Sequence, residues 1–232
     1  MRPMFSYFGS KWMLAKKYGP PVHDLVIEPF AGSAAYSLYW NVPKALLIDI
    51  YPEIVGMWQF LIGATEKEIM ALPIDFDHID DLKIPQEAKW LIGYWIKKAS
   101  VTGGKSRTAW ARQYRHSGDC KVWSEAARLR IAKQLPGIRG WKAELGDFQS
   151  APDKTATWFI DPPYQVAGRH YVHSEVDYVA LAKFCKSRKG QTFVCENAGA
   201  NWLEFLPLAK SRGTFGHMRS GVSNEVVFSQ SR

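Results

Sequence analysis

Residues 24–50 read DLVIEPFAGSAAYSLYWNVPKALLIDI, and the alternation inside this stretch decides the fold. Leu25 to Glu28 is a short apolar run closed by Pro29, which predicts a buried strand. AGSAAYSLYW then reads as a turn and the start of a helix. KALLID is a second apolar run that ends on an acid, Asp49. Pro52 suits the first turn of the next helix, PEIVGMWQFLIGA. Strand, helix, strand and helix follow with connections of a few residues, the pattern of a parallel sheet covered by helices.

The same alternation returns late in the chain. WKAELGDF reads as a short strand ending in Asp147, and TATWFIDPPY as the next one. SEVDYVALAKFCKSRKG predicts a helix capped by Ser174 and stopped by Gly190. QTFVCEN reads as a strand, ANWLEFLPLA as a short helix and NEVVFSQ as a last strand. Between residues 65 and 140 the alternation breaks. EKEIMALP, PQEAKWLIGYWIKKA and SEAARLRIAKQL look helical, the last with Ser124 as its N-cap, and VTGGKSRTAWARQYRHSGDCKVW reads as a long loop. The chain therefore divides into an α/β domain over residues 1–64 and 141–232 and an inserted, mainly helical lobe over 65–140.

Charge separates the same two parts. Of a net +8, residues 97–142 carry +10, with twelve Lys or Arg against Asp119 and Glu125. A basic lobe is the expected footprint of a polyanion site. Lys105, Arg107, Arg112, Arg115 and Lys121 are the candidate phosphate contacts, interleaved with Trp110 and Tyr114. Cys120, Cys185 and Cys195 are scattered, which suits a reduced, cytoplasmic protein. The first residues lack the apolar core of a signal peptide, and no apolar run approaches a membrane span. His170 and His173 have no third ligand beside them, so no metal is expected.

Three acids fall at expected strand ends, Asp49, Asp147 and Asp161, where open α/β sheets bind their ligands. Gly32 lies in the first strand-to-helix turn, and an acid at the end of the second strand commonly accepts from ribose hydroxyls. Both phosphate-binding glycine fingerprints, G-x-G-x-x-G and G-x-x-x-x-G-K-[ST], are absent, which favours a ribose-bearing ligand without a pyrophosphate. In Asp161-Pro162-Pro163-Tyr164 the paired prolines end a strand and stiffen the turn after it, fixing a carboxylate and an aromatic ring at the sheet rim.

FSYFGSK, EPFAGSAA, LIDI, LGDF and IDPPY, in that order, resemble the Dam-type (D12 class) DNA adenine-N6 methyltransferases over roughly residues 3–64 and 140–230. SNEVVFSQ is similar to that family's closing strand. The resemblance implies a class I, Rossmann-like methyltransferase fold, a mostly parallel sheet with an inserted target-recognition lobe, and S-adenosylmethionine as methyl donor. It implies that Tyr7 and Lys11 lie beside the cofactor, that Phe30, Ala31, Gly32 and Ser33 form its turn, that Asp49 binds ribose, and that Asp147 and Phe148 hold its adenine. It also implies that Asp161, Pro162, Pro163 and Tyr164 carry the catalysis. Asp161 and the Pro162 carbonyl would accept the hydrogens of an exocyclic amine on a base flipped from double-stranded DNA, and Tyr164 would stack on that base. Where the family usually has a second glycine, this chain has Ala34, so the turn is expected to avoid positive φ there. Cytosine N4 methylation needs the same two acceptors and stays open, as does a catalytically inactive DNA-binding relative. Enzymes that methylate protein glutamine usually carry N-P-P-Y, which the carboxylate of Asp161 argues against. A restriction nuclease is a possible cognate partner for a methyltransferase of this kind.

Overall fold

The computed structural model describes residues 1–113, 122–166, 175–212 and 222–231. Among the described residues seven strands form one sheet: β1 (Leu25–Glu28), β2 (Lys44–Asp49), β3 (Lys142–Leu145), β4 (Ala156–Ile160), β5 (Gly190–Asn197), β6 (Leu206–Arg212) and β7 (Val222–Ser231). Their order is β3-β2-β1-β4-β5-β7-β6. The pairs from β3 to β5 are parallel, and β7 runs antiparallel to both β5 and β6. The strand order reverses between β1 and β4, so the chain leaves β1 and β4 in opposite lateral directions and opens a crevice at their carboxyl ends.

The helices anticipated around β1 and β2 form as α2 (Ala35–Trp40) and α3 (Pro52–Gly63), after a single turn, α1 (Ala15–Tyr18). Pro52 stands at the start of α3, where its missing N–H costs nothing. The middle segment supplies α4 (Glu66–Ala71), α5 (Gln86–Ile96), α6 (Ala109–Gln113) and α7 (Glu125–Ala132), and α8 (Tyr178–Ser187) precedes β5. Ser124 caps α7 as expected, its hydroxyl accepting from the Ala127 N–H.

Among the described residues the middle segment has no separate core. Leu91, Trp95, Trp123 and Ile131 share one apolar cluster with Tyr36, Trp58 and Phe159 of the sheet region. Indole N–H groups tie the pieces together: Trp58 donates to the Gly32 carbonyl, Trp95 to Met4, Trp123 to Pro73 and Trp141 to Val42. Each indole buries a large apolar face while its one polar atom is satisfied. The helical segment is therefore packed onto the site-bearing sheet.

Five local expectations are corrected. ANWLEFLPLA does not form a helix: β6 begins at Leu206, because Pro207 cannot continue a helix, and the ladder shifts register between Pro207 and Ala209. Asp177, not Ser174, caps α8, its carboxylate accepting from the Val179 and Ala180 N–H groups; Ser174 lies outside the described residues. Gly190 is the first residue of β5 rather than the helix stop. Ala34 adopts the left-handed conformation at φ 46 and ψ 44, against the expected avoidance of positive φ. It is fully buried, so packing of the turn overrides a local preference of about 1–2 kcal/mol. The long loop also contains the short helix α6.

Candidate active site

The carboxyl ends of β1, β2 and β4 open into a cavity of about 440 Å³. Gly32, Asp49 and Asp161 all lie on its walls. Asp49 ends β2 and is held by two backbone donors: Gly32 N–H to Oδ2 and Tyr51 N–H to Oδ1, each 2.9 Å. The β2 acid and the glycine turn are thus one hydrogen-bonded unit. Gly32 has φ +43, and a Cβ there would meet the Tyr7 ring at 3.1 Å. The absent side chain lets the aromatic ring close over the turn. Ser33 is buried and its hydroxyl bonds that of Ser10 at 3.0 Å, which draws the N-terminal segment onto the same turn.

Phe30 and Phe148 stack at 5.9 Å and 23° on the cavity wall. Asp147 is exposed and caps the single 3-10 turn 148–150, its Oδ1 accepting from the Gln149 and Ser150 N–H groups. Ala31 is buried in the glycine turn.

Asp161 follows the end of β4. Its Oδ1 is 3.1 Å from Lys11 Nζ, and the two side chains are 19% and 6% exposed. Lys11 also donates to the Gly9 carbonyl and lies 4.8 Å from the centre of the Tyr164 ring. Burial pushes the Asp161 carboxyl up to about 6, against the downward pull of Lys11 and with a further upward push from Glu225. Pro162 is buried, and the Pro163 carbonyl accepts from the Tyr178 hydroxyl at 2.8 Å. Neither Pro162 nor Tyr164 is on the cavity wall as described, whereas Pro163 is.

Glu28, which sequence reasoning passed over, is 2% exposed at the end of β1 and also faces the cavity. Its carboxylate accepts from the Ser37 N–H, yet burial pushes it up to about 8. A signal for it existed: it is an acid at the closing end of an apolar run, like the three acids that were singled out. Glu175 and Asp177 add two more carboxylates to the wall. Among the described lining residues Lys11 is the single Lys or Arg, against six acids. An acidic lining of this kind disfavours a phosphate and favours a cationic group.

The basic residues of the middle segment divide by what they touch. Arg107 is 5% exposed, donates to the Trp123 carbonyl at 2.6 Å and rests on the Phe76 ring. That placement corrects its reading as a phosphate contact, since its guanidinium is buried in the protein's own packing. Arg128 bonds the Met70 and Leu72 carbonyls at the end of α4, and Arg139 bonds those of Ile62 and Ala64 at the end of α3. Arg130 donates to the Pro3 carbonyl. These cations neutralise helix carboxyl ends and backbone oxygens. Lys105 and Arg112 are on the surface, paired with Asp80 at 3.0 Å and Asp77 at 3.2 Å. Trp110 falls in α6, and Tyr114, Arg115 and Lys121 lie outside the described residues. So do Cys120, His170 and His173; Cys185 and Cys195 are buried free thiols. Among the described residues no helix is long and apolar enough to cross a membrane.

A sheet of this order, with a reversed seventh strand between the fifth and the sixth and a glycine turn after the first, is the Rossmann-like class I methyltransferase fold. Two solved structures of an rRNA methyltransferase, aviRa from Streptomyces viridochromogenes, align along the chain. One has 13% identity and a TM-score of 0.43, covering 99% of this chain and 88% of the other. The second has 14% identity and a TM-score of 0.40, covering 97% and 88%. No family model and no curated protein sequence matches the chain.

Proposed function

We propose that the chain is a DNA methyltransferase that acts on the N6 amine of adenine and uses S-adenosylmethionine as donor. The observation that carries this reading is the Lys11–Asp161 pair at the end of β4, on the wall of the cavity that also holds Gly32 and Asp49. S-adenosylmethionine supplies a methyl group already activated by its sulfonium. Asp49, fixed by two N–H groups on the cavity wall, is the acid placed to meet ribose hydroxyls. Phe30 and Phe148 offer an apolar wall to a purine, and the surplus of carboxyls favours a cationic ligand.

At the reacting end, Lys11 engages Asp161 Oδ1 and leaves Oδ2 to accept a hydrogen from an exocyclic amine. In this reading the second amine hydrogen goes to the Pro162 carbonyl, the next backbone oxygen after Asp161; the neighbouring Pro163 carbonyl accepts from the Tyr178 hydroxyl. Two acceptors pull the nitrogen toward sp³, free its lone pair and stabilise the charge that develops on it. Asp161, near pH 6 in its titration, then takes the proton the product nitrogen sheds. An adenine in a duplex reaches these acceptors only by leaving the stack, at about a few kcal/mol. Surface cations such as Lys105 and Arg112 suit the phosphates that hold the duplex meanwhile.

The test is mass spectrometry of nucleosides from DNA incubated with the protein and S-adenosylmethionine. N6-methyladenine is expected; N4-methylcytosine alone, or no methylated base, overturns the reading. Asp161→Ala is expected to abolish transfer while calorimetric binding of S-adenosylmethionine persists.

A further inference from the structure

The turn after β4 is pinned from the side by two carboxylates on neighbouring strands. Glu196, fully buried on β5, accepts from the Gln165 N–H at 3.0 Å and also from Asn197 N–H and the Trp202 indole. Glu225, 6% exposed on β7 and paired across the ladder with Asn197, accepts from the Tyr164 hydroxyl at 2.6 Å. Adjacent residues of one turn are therefore fixed separately, the backbone at Gln165 by one acid and the ring of Tyr164 by the other. A phenol-to-carboxylate bond of this length is among the stronger hydrogen bonds a protein makes. The ring held this way is the one on which the Lys11 ammonium rests, and Lys11 is the partner of Asp161.

Buried acids are an expensive way to hold a tyrosine. Apolar contacts would fix the ring at lower cost, because each buried carboxylate loses hydration. The expense has a consequence at Asp161, which several groups face: Lys11 from the N-terminal segment, Tyr18 from α1, Glu28 from β1, Cys195 and Glu196 from β5, Glu225 from β7 and Tyr164 on its own turn. Glu225 is the largest of the neighbouring charges that push the Asp161 carboxyl upward.

We propose that Glu225 is a positioning residue of the active site: through the Tyr164 hydroxyl it sets the ring beneath Lys11, and with it the Lys11–Asp161 pair. This rests on the methyl-transfer reading of the site. Glu225 touches no reacting atom. It acts once through geometry, by the bond to Tyr164, and once through charge, by its field at Asp161.

Three variants separate these two actions. Glu225→Gln keeps an acceptor for the hydroxyl and removes the charge. Tyr164→Phe keeps the charge and removes the bond. Glu225→Ala removes both. With DNA and S-adenosylmethionine, Glu225→Gln is expected to keep kcat within about threefold at its optimum. Its acid limb is expected to move down by about half a unit to one unit. Tyr164→Phe and Glu225→Ala are each expected to lower kcat tenfold or more with little change in KM for S-adenosylmethionine, and the Tyr164→Phe/Glu225→Ala double variant to be no worse than the poorer single one. Multiplying effects in the double variant, or an unmoved acid limb in Glu225→Gln, overturn the proposal. An activity-independent readout is the ¹³C titration of the Asp161 carboxyl, assigned by its loss in Asp161→Asn. It is expected to fall in Glu225→Gln, and an unchanged titration overturns the charge link. If the wild-type protein methylates no DNA, the function reading fails, whereas the carboxyl titration still decides whether Glu225 acts on Asp161.

Discussion

Lys11 Nζ sits 3.1 Å from Asp161 Oδ1 while the Gly9 carbonyl and the Tyr164 ring, 155 positions apart in the sequence, also contact it. The N-terminal segment thus completes a site whose carboxylate comes from the fourth strand. The cation opposes the effect of burial and keeps Asp161 from rising further above about 6.

Lys11→Met removes that opposition. Asp161 then holds its proton to higher pH, so the acid limb of kcat is expected to move up by about one unit. That shift lowers turnover at pH 7 about twofold, and the loss is recovered at pH 9. A pH–rate series on both proteins checks this, and an acid limb in the wild-type position refutes it.

Glu28 predicts a pH-dependent stability. Its folded-state titration lies near 8, raised from 4.5 by burial. Between those values the folded protein keeps a proton that the unfolded chain releases, so stability is full below about 4.5 and is lost as pH rises through 8. Glu28→Gln can still accept from the Ser37 N–H but cannot ionise. It is expected to match the wild type at pH 4.5 and to exceed it at pH 9 by on the order of 4 kcal/mol. Urea denaturation at the two pH values measures this; equal pH dependence in both proteins counts against it.

Gly32→Ala combines two penalties. Its φ of +43 disfavours any side chain, and the new Cβ meets the Tyr7 ring at 3.1 Å. A stability loss of about 1–2 kcal/mol is expected from the backbone term. S-adenosylmethionine binding is expected to weaken about tenfold as Tyr7 is displaced from the turn. Calorimetry reports the second effect, and wild-type affinity in a folded variant removes the turn from the binding account.

Arg128 and Arg112 should respond in opposite ways. Arg128→Ala loses two carbonyl bonds at the end of α4 and is expected to cost about 2–3 kcal/mol, with no change in the salt dependence of DNA binding. Arg112→Ala leaves stability within about 0.5 kcal/mol, since its pair with Asp77 is exposed, and lowers the salt slope by about one. Thermal denaturation and binding titrations across salt distinguish them. An unchanged slope in Arg112→Ala takes that residue out of the DNA contact.

Most of the sheet was legible because its signals are local. An apolar run bounded by proline, glycine or an acid reads as a buried strand wherever it occurs, and β1, β2, β4 and β5 all do. The misreadings share a cause. Trp202, Phe205 and Leu206 have helical spacing, but the first two pack as an aromatic group beside Tyr178, and the next residues join β7 as an edge strand. Ala34 takes a conformation its type disfavours because it is itself fully buried in the packing beneath the turn.

Charge was the least transferable reading. The concentration of arginines is a fact of the sequence, yet Arg107, Arg128, Arg130 and Arg139 bond the protein's own carbonyls. Composition counts cations without knowing which oxygen each one meets.

The order of residues alone determined the alternating elements, the strand-end acids and the stiff turn at Asp161-Pro162-Pro163-Tyr164, since each depends on neighbours a few positions away. It could not supply the pairing of Lys11 with Asp161, the hold of Glu225 on Tyr164, or the reluctance of Glu28 to ionise. Those depend on distances between atoms far apart along the chain and on how much water the folded protein removes from them, and neither quantity exists until the sheet has closed around its core.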